Sequence, residues 1–275
     1  MGYQQELGDL HPLLDLVVRA ARDAAGVIRE AAPRIRTLDW QSKGPADFVS
    51  EVDLAAEARI LALVRKELPE ATVLAEETAA DVSPESLQSG LAVVVDPLDG
   101  TTNFLHGYPE YAVSIALLFE GEPVAAVVHD VPGDERFTAT AGGGCHLNGL
   151  PCRVSAITDP KRALIGTGFP FKNAADIAPY QAQMSRVMAG VSGVRRPGAA
   201  SIDLASVACG RFDAFWETAL SPWDFAAGML LVREAGGLAT TLDGDPLPST
   251  RSSSVLAGNP AMHAWLGTAV RGGER

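Results

Sequence analysis

Cysteine is scarce in this sequence, with three residues, Cys145, Cys152 and Cys209, among 275. Three cysteines do not complete an even disulfide framework, and no two of them have the CxxC spacing of redox or zinc motifs. Because free cysteine commonly behaves as a small hydrophobic side chain, we expect reduced thiols in packing positions. The cysteine count excludes a disulfide-stapled secreted domain and favours a cytoplasmic protein.

Long hydrophobic runs and a secretion signal are also missing. The longest apolar stretches, residues 111–119 and 124–128, are far shorter than the roughly 18–20 residues that a membrane-spanning helix needs. The N-terminal residues lack the basic-then-apolar order of a signal peptide. We therefore expect a globular protein with no membrane partner.

Positive charge is in deficit. The chain has 22 Lys and Arg residues against 34 Asp and Glu residues, a formal net charge of -12. No basic excess exists to replace the counterions of DNA or RNA, so we expect no nucleic-acid partner. A phosphorylated substrate remains compatible with this charge, because bound cations reverse the local potential.

Phosphate-binding glycine loops and histidine metal ligands are absent as well. No lysine follows residues 141–144 at the phosphate-loop spacing, and Gly166 with Gly168 lacks the third glycine of a dinucleotide-binding turn. The histidines beyond residue 100 lack ligand spacing, so we expect them at the surface or in packing positions: His106, His129, His146 and His263. A metal site in this chain would therefore use oxygen ligands.

The length predicts one unit. At 275 residues the chain lies near the size at which single cores stop growing, so we expect residues 1–275 to form two closely packed halves, about 1–150 and 151–275. Helices layered on largely antiparallel sheets, an α+β fold, account best for the pattern of elements that follows.

Several elements are predicted from periodicity. Apolar residues recur at helical spacing over residues 12–31, and Ser50 with Asp53 has the capping-box spacing of a second helix. Residues 111–128 predict a β-hairpin. The pair 221–222, Ser-Pro, predicts another helix start.

Two strands are predicted near the C-terminal end. Residues 238–242 and 254–257 have strand-like composition, and we expect them to flank an Asp243-Gly244 turn. Proline at position 260 predicts the start of a short terminal helix.

Residues 93–104, VVVDPLDGTTNF, form the most informative motif. Three valines predict a buried strand, and Pro97 predicts a turn that follows it. Asp96 and Asp99 would then converge on one hard cation, while the amides after Gly100 face an anion as a helix N-terminus does. The alternative is an aspartate-rich turn that only caps a helix.

Five acidic residues share a position at the end of an element, next to an apolar run: Asp53, Glu76, Asp96, Asp99 and Asp224. Each has a separate structural explanation as a helix cap or a solvated charge. One cluster explains all of them together, because Mg²⁺ takes oxygen ligands and a few carboxylates with substrate oxygens hold two or three ions.

Three segments resemble the signatures of the inositol monophosphatase family of magnesium-dependent, lithium-sensitive phosphatases. They are Glu76-Glu77, DPLDGTTNF at 96–104 and WDFAAG at 223–228, in the family's order and spacing. The resemblance implies a layered α-β-α-β-α sandwich, commonly a homodimer, with the metals between layers. The N-terminal half would carry most metal ligands, and the C-terminal half would carry Asp224 and the substrate contacts.

The resemblance also implies roles for individual residues. Two or three Mg²⁺ ions are expected, with Mn²⁺ as a substitute. The expected ligands are Glu76, Asp96, Asp99, Asp224 and the carbonyl of Leu98. Thr101, supported by Asp53, would orient the attacking water together with Glu76. The amides of Gly100 and Thr101 would hold the phosphate. Substrate hydroxyls would contact Gly198, Ala199, Ala200 and Glu217, although the family commonly has Ser or Thr in place of Ala199.

The implied activity is hydrolysis of a small phosphate monoester, with myo-inositol 1-phosphate as the expected substrate, by metal-activated water and without a covalent intermediate. Histidinol phosphate, fructose 1,6-bisphosphate and nucleotide bisphosphates are substrates of similar proteins. Specificity would lie in residues 169–172 and 194–200, where Arg195 and Arg196 either meet a second phosphate or are ordinary exposed arginines.

Two other functions stay open at this point. A haloacid-dehalogenase-type phosphatase uses an aspartate after an apolar strand as nucleophile, but its two aspartates are separated by one residue, whereas Asp96 and Asp99 are separated by two. A noncatalytic cytosolic interaction protein would keep the same scaffold without the chemistry.

Overall fold

The computed structural model describes residues 7–44, 47–78, 81–171 and 173–272. The helices are α1 His11–Ala31, α2 Glu51–Glu67, α3 Thr101–His106, α4 Ile177–Met188, α5 Ala200–Ala208, α6 Pro222–Glu234 and α7 Pro260–Arg271. The strands are β1 Trp40–Gly44, β2 Asp47–Ser50, β3 Thr72–Ala75, β4 Leu91–Asp99, β5 Ala112–Phe119, β6 Glu122–Asp130, β7 Glu135–Thr140, β8 Gly144–Leu147, β9 Leu150–Cys152, β10 Leu164–Thr167, β11 Gly193–Arg195, β12 Ala214–Leu220, β13 Leu238–Thr240 and β14 Ser253–Gly258.

Helices α1 and α2 form the outer layer on one side. The buried residues of α1 recur at helical spacing: Leu16, Val17, Ala20, Ala21, Ala24, Ala25, Ile28 and Ala31. Helix α2 begins with the predicted capping box, in which the Ser50 amide donates to Asp53 Oδ2 at 2.8 Å. Helix α1 packs on β5 and β6, and α2 packs on β4. The helix and cap predicted for this region are confirmed.

The first large sheet lies under these helices in the order β3-β4-β5-β6-β7-β8-β9. Only β3 and β4 pair in parallel within it, and the other neighbours are antiparallel. The predicted hairpin is formed by β5 and β6, with Glu120 and Gly121 at its turn in positive-φ conformations. The buried faces of β4, β5 and β6 are valine, alanine and leucine, so this sheet contributes the centre of the core.

The second large sheet has the order β11-β10-β12-β14-β13 and is mixed. Strand β10 is parallel to both of its neighbours, whereas β14 is antiparallel to β12 and β13. The expectation of largely antiparallel sheets therefore holds for the first sheet and only in part for the second. Strands β13 and β14 do pair, but twelve residues connect them, so Asp243-Gly244 is a local turn within a longer loop.

Helices α5 and α6 pack against each other between the two sheets. Helix α6 contacts β4 to β8 on one side and β13 and β14 on the other. Helices α4 and α7 pack together on the outer face of the second sheet. The layers are helix, sheet, helix, sheet and helix, so the predicted α-β-α-β-α sandwich is confirmed.

Two further sequence expectations have a structural outcome. Cys145 and Cys152 are opposite each other on β8 and β9, with their sulfur atoms 3.0 Å apart, and the three cysteines are free thiols. In the part of the chain that the structure describes, no helix has the length and apolar character needed to cross a membrane.

We predict opposite effects for two glycine-to-alanine substitutions in helices. A Cβ on Gly228 of α6 would lie 2.5 Å from Cβ of Leu204 on α5, so Gly228→Ala forces two helices apart and destabilises by about 1–3 kcal/mol. A Cβ on Gly26 of α1 meets nothing within 4 Å, so Gly26→Ala stabilises by up to about 1 kcal/mol. Urea unfolding of both variants measures the difference, and equal midpoints would contradict the helix packing described here.

Candidate active site

Strand β4 delivers two aspartates to the centre of the molecule. It continues through Asp99, with a register shift against β5 between Asp96 and Asp99, so both residues belong to the strand. The prediction that Pro97 ends the strand in a turn is wrong, because pairing with β5 resumes at Asp99 after this irregularity. Both aspartates are nearly inaccessible, at 2% and 9% exposure.

Gly100 connects β4 to α3 in a conformation that other residues rarely adopt. Its φ is +91°, and an added Cβ would lie 2.7 Å from the carbonyl oxygen of Glu110 and 3.3 Å from Cβ of Ala199. The backbone of this loop therefore approaches the start of α5 closely. Asn103 holds the same contact, since its side-chain amide donates to the carbonyls of Glu110 at 2.8 Å and Pro197 at 3.0 Å.

Asp53 combines two roles. Its Oδ2 accepts hydrogen bonds from the amide and the hydroxyl of Ser50, which caps α2. Its Oδ1 lies 2.9 Å from Thr101 Oγ1 and accepts that hydroxyl's hydrogen bond. The carbonyl of Leu98 lies 3.0 Å from the same hydroxyl. Asp53 therefore both caps α2 and accepts a hydrogen bond from the Thr101 hydroxyl.

Asp224 stands in the first turn of α6, where Ser221 and Pro222 begin the helix as predicted. Its Oδ2 accepts a hydrogen bond of 2.7 Å from the Ser221 amide. A carboxylate in a first turn is stabilised by the helix dipole. Because α6 lies between the sheets, this end of the helix faces the end of β4.

One cavity of about 390 Å³ collects the predicted residues. It is lined by Glu76, Asp96, Leu98, Asp99, Gly100, Thr101, Gly198, Ala199, Ala200, Glu217 and Asp224. Of the predicted site residues, Asp53 alone does not line the cavity, but it is hydrogen-bonded to Thr101, which does. In the described part of the chain, no histidine lines this cavity.

The acidic residues raise one another's pKa. Burial raises the pKa of Asp96 well above its ordinary value, and the charges of Glu76, Asp99 and Asp224 add to the effect. Burial also raises the pKa of Asp99 from 3.8 to about 6, although hydrogen bonds from the hydroxyl and amide of Ser201 oppose it. Closely packed carboxylates of this kind attract a cation.

Lys43 of β1 supplies one cation. Its Nζ lies 2.8 Å from Glu76 Oε1 and 3.0 Å from Glu77 Oε1. Burial raises the pKa of Glu77 to about 7 and the Glu76 charge adds to this, whereas Lys43 acts in the opposite direction. One lysine leaves most of the carboxylate charge in the cavity uncompensated.

The donor set fits a hard divalent cation. The oxygens come from Glu76, Asp96, Asp99, Asp224 and the Leu98 carbonyl, and Mg²⁺ prefers such oxygens. As the side chains of the described residues stand, no three acidic, histidine or cysteine groups enclose one point tightly enough to hold an ion. Lys43 draws the Glu76 carboxylate to itself, so metal binding needs that side chain to turn.

Several residues of the site carried no recognisable sequence signal. Lys43 reaches the site from β1, which contains none of the motifs. Ser201 and Asp203 lie on α5 directly after the expected contact Ala200, but neither was predicted as a site residue. Gly168 is different, because it was noted only as an incomplete nucleotide motif. A Cβ on Gly168 would lie 2.0 Å from the Glu217 carboxylate, so this glycine makes room for Glu217.

The pKa of Asp99 predicts a pH dependence of stability in metal-free protein. Its folded value of about 6 lies above its ordinary 3.8, so between about pH 4 and 6 the folded state binds more protons than the unfolded state. Stability from this group is therefore greatest below pH 4 and is lost as pH rises through 6, by at most about 3 kcal/mol.

Urea unfolding in EDTA at pH 4.5 and 6.5 measures this loss. Asp99→Asn has no proton to exchange at this position, so we expect it to lose less stability than the wild type across the same interval. If the wild type and Asp99→Asn lose the same stability between the two pH values, the pKa of Asp99 is not raised in the folded state.

Comparison with known proteins places this geometry in a family. Residues 9–274 match the Inositol monophosphatase family. The chain is 43% identical over 264 residues to the protein named Nus factor SuhB of Pseudomonas aeruginosa, covering 95% of this chain and 97% of that one. It is 42% identical over 259 residues to the Inositol-1-monophosphatase of Mesorhizobium japonicum, covering 94% and 96%.

A solved structure shows the same fold. The extragenic suppressor protein suhB from Bartonella henselae superposes with a TM-score of 0.89 at 40% identity, over 96% of this chain and all of that one. Sequence and structure agree over nearly the whole length, and the chain belongs to the inositol monophosphatase family.

Proposed function

We propose that this protein hydrolyses a small phosphate monoester in a magnesium-dependent reaction, with myo-inositol 1-phosphate as its substrate. The observation that carries the proposal is the convergence of four carboxylates on one cavity beside the Thr101-Asp53 pair. Membership of a phosphatase family supports it, and that membership replaces the haloacid-dehalogenase alternative.

The metal ligands in this proposal are Glu76, Asp96, Asp99, Asp224 and the Leu98 carbonyl, which hold two or three Mg²⁺ ions. Mn²⁺ substitutes for Mg²⁺, and Li⁺ inhibits. When bound, Mg²⁺ would supply a water of lowered pKa and would compensate the charge of the phosphate and of the departing alkoxide. No covalent intermediate is needed, because a positioned water attacks phosphorus directly.

Thr101 and Asp53 position that water. Because the Thr101 hydroxyl donates its hydrogen bond to Asp53 Oδ1 at 2.9 Å, a lone pair on Oγ1 is left to accept one from the water. Asp53 is 1% exposed and is fixed by Ser50, so it holds this direction firmly. Glu76 also lines the cavity and accepts the second hydrogen of the same water. General-base positioning of this type contributes about 10²–10⁴-fold.

The phosphate binds at the loop between β4 and α3. Gly100 and Thr101 present their amides there, next to the first turn of α3. The close approach of Gly100 to Ala199 brings α5 to the same place, so the phosphate lies between two helix starts.

The leaving group lies next to the phosphate, on the side of the cavity that Glu217 lines. Gly198, Ala199, Ala200 and Glu217 line it, and Ala199 is buried against the Gly100 loop, so backbone groups replace the hydroxyl that the family commonly has here. Arg196 lies over the rings of Phe169 and Phe171, at 5.3 and 5.1 Å, and lines the cavity, whereas Arg195 does not line it. Position 172 lies outside the described residues.

A second candidate is an interaction role on the same scaffold, alone or beside catalysis. Relatives of nearly equal identity carry the names Nus factor SuhB and Inositol-1-monophosphatase, which favours testing both. We also propose that the protein is a cytoplasmic homodimer. An active-site variant that loses phosphatase activity but still binds any protein partner of the wild type would separate the two roles.

We predict that Asp99→Asn abolishes magnesium-dependent phosphate release while the fold is kept. Loss of an outer-sphere partner of a metal typically costs 10–100-fold, so loss of a direct ligand should cost more than about a hundredfold. The Ser201 hydrogen bonds to this position can persist in the variant, so unfolding should not begin earlier. Phosphate release from myo-inositol 1-phosphate at saturating Mg²⁺ and far-ultraviolet circular dichroism are the measurements.

Asp243→Asn is the matched control, because Asp243 is exposed in a loop and does not line the cavity. It should retain full activity. Normal turnover by Asp99→Asn at saturating Mg²⁺ would contradict the proposed metal site, and EDTA-resistant activity of the wild type would contradict the proposed reaction.

A further inference from the structure

Asp203 is a buried carboxylate to which the proposed reaction gives no task. It lies in the first turn of α5, is 1% exposed and lines the same cavity as the metal-binding carboxylates. Its Oδ1 has no hydrogen-bond partner among the residues that the structure describes. A buried polar atom without a partner destabilises the folded state, so its presence calls for a partner that arrives from outside.

The other buried aspartates that the structure describes accept hydrogen bonds. Asp213 accepts a hydrogen bond from the Ser155 hydroxyl on Oδ1 at 2.5 Å and from the Leu164 amide on Oδ2 at 2.7 Å. Asp99 is bonded to Ser201. Within the described ranges, the one other buried side-chain atom without a partner is Nδ1 of His129, which is remote from the cavity. Asp203 is therefore the exception at the site.

A structural role as a helix cap does not account for Asp203. A capping carboxylate accepts a hydrogen bond from a free backbone amide of the first turn, as Asp53 does in α2. The first turn of α5 instead directs the Ser201 amide to Asp99, and Oδ1 of Asp203 accepts nothing.

The surroundings of Asp203 indicate what would bind there. Glu217 is the neighbouring charge with the largest influence on it, and the Glu217 carboxylate lies directly on Gly168 at the leaving-group end of the cavity. Burial raises the pKa of Asp203 well above its ordinary value and Glu217 adds to this, whereas Arg196 acts in the opposite direction. Two carboxyl groups thus line the part of the cavity that receives the leaving group.

We infer that Asp203 is a specificity-determining residue, which accepts a hydrogen bond from a hydroxyl of the leaving group next to the hydroxyl that Glu217 contacts. The inference rests on the proposed function and deepens it. It restricts the preferred substrates to phosphorylated polyols with neighbouring free hydroxyls, since one hydroxyl alone satisfies one carboxyl group.

Two substrates and one variant test the inference. Wild type and Asp203→Ala are compared with myo-inositol 1-phosphate, which offers neighbouring hydroxyls, and ethyl phosphate, which offers none. We expect kcat/KM for the inositol phosphate to fall about 10- to 100-fold and that for ethyl phosphate to stay within about twofold. Asp203→Asn should lose less, because its amide oxygen still accepts a hydrogen bond. The Tm of Asp203→Ala should equal or exceed that of the wild type, because an unpartnered buried atom has been removed.

Asp213→Asn is the control for a buried aspartate with partners. Its Tm should fall while the ratio of kcat/KM values for the two substrates stays unchanged. If Asp203→Ala leaves the ratio of kcat/KM values for the two substrates unchanged, whether both values fall equally or neither falls, the inference is overturned. A greater loss on O-phosphoethanolamine than on the inositol phosphate would overturn the polyol assignment and indicate an ammonium group. Absence of magnesium-dependent release by the wild type from all three substrates would instead overturn the proposed function, together with this inference.

Discussion

The repulsion among buried carboxylates at the end of β4 is the interaction on which the rest of this structure depends. Asp96 and Asp99 are almost inaccessible to solvent and share one cavity with Glu76 and Asp224. Their raised pKa values follow from burial and from one another's charge. Such a group is unfavourable in isolation, and a divalent cation is the species that reverses the sign of every one of these interactions.

The fold keeps these charges in place through hydrogen bonds from its backbone. Asp96 accepts one from the Leu98 amide, Asp99 from Ser201 and Asp224 from Ser221. Each bond fixes one oxygen of a carboxylate that lines the cavity. Asp53 and Asp224 each cap the start of a helix and also belong to the site. The first turns of α2 and α6 thus bring distant segments of the sequence to one place.

Much of this arrangement was predictable from the sequence. The capping signals at Ser50 and Ser221 and the two apolar runs over residues 111–128 are local, and local patterns predict elements well. The convergence of the acidic residues was predictable as a set, since one metal cluster explained positions that needed separate explanations otherwise. Family resemblance then supplied the layers and the roles of individual residues.

Contacts between distant segments could not be predicted. The extension of β4 through Asp99 depends on pairing with β5, and the parallel pairs of β10 depend on which strands become neighbours. Lys43 reaches the site through tertiary structure alone, and the contacts of Ser201 and Asp203 are visible only once α5 is packed beside β4. The need for glycine at position 168 could not be predicted either, because it depends on the Glu217 carboxylate, which lies where a Cβ would be.

Anomalous diffraction from crystals soaked in Mn²⁺ tests the central claim most directly. We expect at least two anomalous peaks between the carboxylates of Glu76, Asp96, Asp99 and Asp224, with the Glu76 side chain turned away from Lys43. An empty cavity at saturating Mn²⁺, with Glu76 still paired to Lys43, would contradict it.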